Sequence, residues 1–268
     1  MPHERFLPAL AVSVALVVAG CSSDGSGPDD AAATAGNDVA SGTVTVFAAS
    51  SLTDAFTAIG DAFSAEHPDA TVEFNFGASS DLVDSITGGD ALGVANVYAS
   101  ADEANMQTLV DAGDNADDPQ VFARNQAEIA VPAGNPADVR GLDDFADEDL
   151  FIGLCAEDVP CGAYAQEIFD NAGVTPSIDT EEAKVTDVAA KVASGDLDAG
   201  IVYVTDVLAN DDEVDGIEIP ADVNVDATYP IATVAESEHA DTADAFVAFV
   251  LSAAGQQVLA DHGFLPPT

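Results

Sequence analysis

The chain has 268 residues, 48% of them hydrophobic, which is enough to bury the core of one or two modest domains. It carries 49 Asp and Glu against 5 Lys and Arg, a formal net charge of −44, and that balance excludes nucleic acid and anionic membrane surfaces as partners. Such a charge reads as a solvated acidic surface whose self-repulsion is tolerable where salt screens it, the Debye length falling to about 3 Å at 1 M salt, so a salt-adapted source is expected.

Residues 1–20 read as a processing segment rather than as part of the fold. His3 and Arg5 make a short polar start, and Phe6 to Gly20 is an apolar run of 15 residues, short for a bilayer span. The run closes on Val18-Ala19-Gly20-Cys21, which resembles a bacterial lipobox. The resemblance implies cleavage before Cys21 and lipidation of its thiol, hence an extracytoplasmic protein anchored to the cell membrane. Glu4 and Arg5 cancel, so the mature charge stays at −44. Residues 21–42, rich in Ser, Gly, Asp, Ala and Pro, read as a flexible tether. With Cys21 lipidated, Cys155 and Cys161 remain, and an oxidising compartment with an even remainder suggests a disulfide. The pair has no third or fourth ligand nearby and makes a poor zinc site.

Beyond the tether, strand-like and helix-like segments alternate. Thr43 to Ala48 is β-branched and apolar, a strand. Leu52, Ala55, Phe56, Ile59 and Phe63 then fall on one helical face. Thr71 to Phe76 alternates polar and apolar, and Ser80 to Ile86 is helix-like. Val97-Tyr98-Ala99, Ala127 to Val131, Phe151 to Leu154 and Ile201 to Val204 are short apolar strands. Phe246, Phe249, Val250 and Ala253 mark a late amphipathic helix. The pattern predicts α/β domains with mainly parallel sheets. In such sheets ligands sit beyond the carboxyl ends of the strands, where helices begin.

Four junctions of that kind stand out. Phe47-Ala48-Ala49-Ser50-Ser51-Leu52 and Phe76-Gly77-Ala78-Ser79-Ser80-Asp81 share one design: a strand, small residues, paired serines, a helix. Val159-Pro160-Cys161-Gly162 opens a third helix, and Val185-Thr186-Asp187-Val188 a fourth. A helix start carries unpaired N–H groups and a partial positive charge, so a hydroxyl placed there makes an anion site. A serine there is also the preferred N-cap of an ordinary helix.

These segments, with Ala99-Ser100-Ala101-Asp102-Glu103, Gly200-Ile201-Val202-Tyr203, Tyr229-Pro230-Ile231 and Gly263-Phe264, resemble the periplasmic molybdate-binding proteins of ABC transporters over about Thr43 to Phe264. The resemblance implies a two-lobed periplasmic-binding-protein fold of type II with the ligand in the interlobe cleft. Residues 43–124 and 229–268 would form the first lobe and 125–228 the second, the chain crossing near Asn125 and Thr228. It implies molybdate, with tungstate equally fitting, held by the hydroxyl and amide of Ser51, by Ser79, by the backbone amides of Cys161 and Val188, and by the phenol of Tyr203. It further implies a monomer that delivers its ligand to a cognate ABC permease and uses no cofactor. The family often has Ala where Cys161 stands here, a change that leaves the amide intact.

The residue chemistry is compatible with this assignment, because every proposed contact is a neutral donor and molybdate is fully deprotonated near neutral pH. Asp54, Asp81 and Asp187 read as first-turn acids that complement helix dipoles. Arg124, Arg140, Lys184 and Lys191 read as surface charges. Sulfate and phosphate are the alternative ligands, and a lipoprotein of sensory or structural role is a further alternative. A serine hydrolase is disfavoured. Gly77-Ala78-Ser79-Ser80-Asp81 lacks the second glycine of a nucleophile elbow, and His67, His239 and His262 stand apart from any acid or Cys motif.

Overall fold

The computed structural model describes residues 40–267; the signal segment, Cys21 and most of the tether lie outside them. Ala40 is buried, and Ser41 exchanges two hydrogen bonds with Thr242, its N–H donating to Oγ1 (3.2 Å) and its carbonyl accepting from it (2.7 Å). The last three tether residues therefore belong to the folded body.

The first run is β1 (Gly42–Ala49), a 3-10 turn (Ser50–Leu52), α1 (Thr53–Glu66), β2 (Ala70–Gly77), α2 (Ser79–Thr87), β3 (Val97–Ala99) and α3 (Glu103–Ala112). The long β4 (Gln120–Pro132) follows. A second run contains β5 (Ile152–Cys155), α4 (Pro160–Ala172), β6 (Thr180–Glu182), α5 (Val185–Ser194), β7 (Ala199–Tyr203), α6 (Val204–Ala209) and β8 (Val214–Glu218). β9 (Asp226–Thr233), α7 (Ala240–Leu251) and α8 (Ala253–Asp261) close the chain. The apolar face read for α1 is buried as its spacing demands, with Ala55, Phe56, Ile59 and Phe63 all in the core. Helices α3, α4 and α5 each end on a glycine in the left-handed region, Gly113, Gly173 and Gly195, the conformation that closes a helix at least cost.

The strands run β2-β1-β3-β9-β4-β7-β5-β6, with β8 also paired to β4. This is a mixed α/β arrangement, and it corrects the mainly parallel one expected. β1–β2, β1–β3, β5–β6 and β5–β7 are parallel. Every pairing that involves β4 or β9 is antiparallel. The reason is β4 itself. Its first half (Gln120–Gln126) pairs with β9 and its second half (Ala127–Ala130) with β7, so one strand joins two sheet halves. The expected strand Ala127 to Val131 is only the second half of that element.

Two further expectations shift. Ala253 does not continue the helix of Phe246 and Phe249, because the chain bends by 60° at Ser252 and α8 begins. Gly255 sits at that corner, where a Cβ would come within 2.3 Å of the Phe249 carbonyl oxygen. Val204, read as strand, is the first residue of α6. The aromatic core of the first half gathers Phe56, Phe63, Phe122 and Phe246 with ring centroids 5.5–6.1 Å apart. The second half packs Phe145 against Phe169 with centroids 5.3 Å apart.

Candidate functional site

Six strands, β1, β2, β3, β5, β6 and β7, deliver their carboxyl ends to one small cavity. Its wall is Ala49, Ser50 and Ser51 after β1; Gly77, Ala78 and Ser79 after β2; Ala101 after β3; Val159, Pro160 and Cys161 at the start of α4; Lys184 and Val185 at the start of α5; and Tyr203 at the end of β7. The cavity is small, about 20 Å³, with room for one compact solute. A wider groove of about 730 Å³ beside α7 and β9 offers Asp117, Asp118 and Asp244 and would repel an anion.

The wall is built from donors. Helix geometry leaves the first amides of α2, α4 and α5 and of the 3-10 turn without intrahelical acceptors. At α4, Pro160 has no N–H, and the Gly162 and Ala163 amides both return to the Val159 carbonyl (3.0 Å each). The Cys161 amide is thus the one that first turn leaves free. At α5 the Asp187 amide turns back to the Lys184 carbonyl (3.1 Å), leaving those of Val185 and Thr186. Val188 was the expected donor. It is fully buried further along α5 and does not line the cavity. Val185 takes its place in the wall. Among the described residues, no carboxylate and no histidine lines the cavity.

The serines do not cap their helices. Residues Ala49, Leu52 and Ala78 hold the cap positions, without side-chain cap bonds. Ser79, buried as the first residue of α2, accepts a hydrogen bond on Oγ from the Ala101 N–H (3.0 Å), while its carbonyl accepts from the Tyr98 hydroxyl (2.8 Å). Ser51 Oγ lies 2.9 Å from the hydroxyl of Tyr229. Ala101 and Tyr229 carry no role in the sequence reading, although the segments that contain them figured in the resemblance. Ser80 Oγ is buried and unpartnered among the described residues, but Ser80 does not line the cavity.

Tyr203 is 2% exposed, and its hydroxyl has no hydrogen-bond partner among the described residues. Its ring meets those of Tyr229 and Tyr164 edge-on, with centroids 6.1 and 6.5 Å apart. Burial pushes the phenol well above its ordinary range, and neighbouring tyrosines and acids push the same way, so it is a neutral O–H donor. Behind it, buried Asp206 accepts the Tyr203 N–H on Oδ2 (3.0 Å). Burial pushes the Asp206 carboxyl up to about 7; the Tyr203 N–H opposes that rise and the Asp54 charge adds to it.

A disulfide joins Cys155, at the end of β5, to Cys161, with Cα atoms 5.7 Å apart. It ties the free amide of α4 to the sheet. Gly162 is required beside it, since a Cβ there would lie 1.9 Å from the Ala156 carbonyl oxygen. Three of the basic residues pair with acids away from the cavity: Arg124 with Asp226 (2.9 Å), Arg140 with Asp138, and Lys191 with Glu182. Lys184, read as a surface charge, is at the cavity wall, with its ammonium 3.8 Å from Asp187.

Residues 44–265 match the model of the family described as bacterial extracellular solute-binding protein. The molybdate-binding protein ModA of Mycobacterium tuberculosis is 38% identical over 94% of this chain and 95% of its own. A putative ABC transporter substrate-binding lipoprotein of Bacillus subtilis, YvgL, is 29% identical over 98% and 97%. Among solved structures, the periplasmic molybdate-binding protein of Azotobacter vinelandii superposes with a TM-score of 0.75 at 16% identity, over 84% of this chain and all of that one. The chain belongs to the bacterial extracellular solute-binding proteins, a family that captures solutes and is not enzymatic.

Proposed function

We propose that the protein captures molybdate, with tungstate as an equivalent ligand, and delivers it to an ABC permease while tethered to the membrane through a lipid on Cys21. The observation that carries this reading is the buried Tyr203 hydroxyl, unpartnered among the described residues, at a wall of hydroxyls and helix-start amides. A buried O–H without an acceptor costs about 1–3 kcal/mol, which an anionic ligand would return with a charge-assisted bond. The donors assigned are the hydroxyl and amide of Ser51, Ser79, the amides of Cys161 and Val185, and the Tyr203 phenol, with Val185 replacing Val188. A wall without a carboxylate or imidazole favours a fully deprotonated oxyanion over phosphate, which keeps a proton near neutral pH. The relative from Mycobacterium tuberculosis, named for molybdate, supports the choice among such anions, and the Bacillus subtilis lipoprotein supports the anchor.

In this reading residues 43–124 and 229–268 form one lobe and 125–228 the other. β4 and β9, paired at Asn125 and Ala227, act as the hinge. The acidic surface suits a salt-rich medium. Calorimetric titration with molybdate, tungstate, sulfate and phosphate tests the assignment. Tight binding of the first two and weak binding of the others is expected; a site that prefers sulfate or phosphate overturns it.

A further inference from the structure

Tyr229 stands behind the cavity on β9, fully buried. Burial raises its phenol far above the neutral range, so it carries its proton at any working pH. A buried phenolic O–H must donate to something. Among the described residues the hydrogen-bond partner within reach of this hydroxyl is Ser51 Oγ, at 2.9 Å, while Asn125 donates its amide nitrogen to Thr205 Oγ1 (2.9 Å) and accepts the Gln126 N–H on its oxygen (3.0 Å). Were Ser51 the donor, the buried Tyr229 proton would be left without an acceptor, so Ser51 Oγ takes it. Ser51 therefore enters that pair as acceptor, and its own hydrogen is released toward the cavity it lines. The second serine repeats the arrangement by other means. A backbone N–H can only donate, so the bond from Ala101 to Ser79 Oγ also leaves the Ser79 hydrogen free.

We propose that Tyr229 is a positioning and specificity-determining residue: by donating to Ser51 Oγ it holds the Ser51 O–H toward the ligand, so that Ser51 offers the anion a proton and withholds a lone pair. The inference rests on the oxyanion reading above. Hydrogen phosphate brings a hydrogen that needs an acceptor, and a serine locked as donor does not supply one. Tyr229→Phe keeps the ring against Tyr203, Phe122 and Phe264, with centroids 6.1, 6.2 and 5.4 Å away. It removes only the hydroxyl and frees Ser51 to turn.

The experiment is calorimetric titration of the full chain, unmodified and as Tyr229→Phe, Ser51→Ala and the double variant, with sodium molybdate and sodium phosphate, plus anion-free melting of each. Tyr229→Phe should weaken molybdate roughly three- to tenfold while leaving phosphate no weaker, so that selectivity falls. In the Ser51→Ala background the same substitution should change molybdate binding less than about twofold, because its effect passes through Ser51. Ser51→Ala alone should lower the anion-free Tm by about 3–8 °C, since it strands the buried Tyr229 hydroxyl. Equal weakening of both anions, an undiminished effect in the Ser51→Ala background, or an unmoved Tm for Ser51→Ala overturns the proposal. An unmodified protein that binds no molybdate overturns the functional reading beneath it instead.

Discussion

Replacing Tyr203 by Phe should stabilise the free protein and weaken the bound one. The phenol ring is 2% exposed, so the substitution leaves the packing against Tyr164 and Tyr229 unchanged. What it removes is a buried hydroxyl without a partner among the described residues. Such a group costs about 1–3 kcal/mol in the free state. For a body of this size each kcal/mol moves the Tm by about 2–4 °C, so anion-free melting should rise by about 2–12 °C. In the complex the same hydroxyl donates to an anion, a bond worth about 1.5–3 kcal/mol, so Kd for molybdate should rise roughly 10- to 150-fold. Differential scanning fluorimetry without ligand and calorimetry with molybdate read the two effects separately. A variant that melts no higher than the parent and binds molybdate with unchanged affinity refutes the assignment of Tyr203 as a donor kept in reserve for the ligand.

Three other outcomes follow from the same wall. Reduction of Cys155–Cys161, or Cys155→Ser, should lower stability by about 2 kcal/mol through the short loop it closes and weaken molybdate severalfold by loosening the Cys161 amide; calorimetry with and without a phosphine reductant measures both. Gly162→Ala should cost about 1–3 kcal/mol or more, because its Cβ meets the Ala156 carbonyl oxygen at 1.9 Å, and should cut affinity as the start of α4 shifts, read by melting and titration. Asp206→Asn should raise the Tm above pH 7 but leave it little changed near pH 4. The Asp206 carboxyl titrates at about 7 in the folded chain against about 3.9 unfolded, so the folded state binds more protons between those values and stability falls as pH rises through them. Asparagine keeps an acceptor for the Tyr203 N–H and removes that loss, up to about 4 kcal/mol; parallel Tm–pH curves for parent and variant would show no role for Asp206.

How much of this was legible in the sequence depended on how local each feature is. The apolar face of α1 needs only its own spacing and was readable. β6 and β8 were not: one is three polar residues, the other an edge strand with a central glycine. The role of the serines was open for a deeper reason. A serine at a helix start either caps its own backbone or offers its hydroxyl elsewhere, and the choice rests on partners remote in sequence. Those partners are Ala101, 22 residues from Ser79, and Tyr229, 178 residues from Ser51. Val188 and Val185 differ by about one turn, and only the observed start of α5 shows which of them lines the cavity. Lys184 looked like a surface charge because a lysine stem and its ammonium can lie on different sides of a wall.

The net charge bears on how an anion reaches these donors at all. A field from 49 acids and 5 bases repels an approaching oxyanion, and the wall answers it with neutral hydrogen bonds that act only at contact. Repulsion of that kind acts on association and is screened by salt, whereas bonds sealed inside a small cavity are screened little. The association rate for molybdate should therefore rise with added salt while the dissociation rate stays nearly constant. The chain has no Trp and 4 Tyr, three of which meet ring to ring at the site, so stopped-flow tyrosine fluorescence can follow both rates. A rate that falls with salt would mean that a local positive field does the steering. Lys184, the one cation at the wall among the described residues, would then have to be counted among the residues that bind.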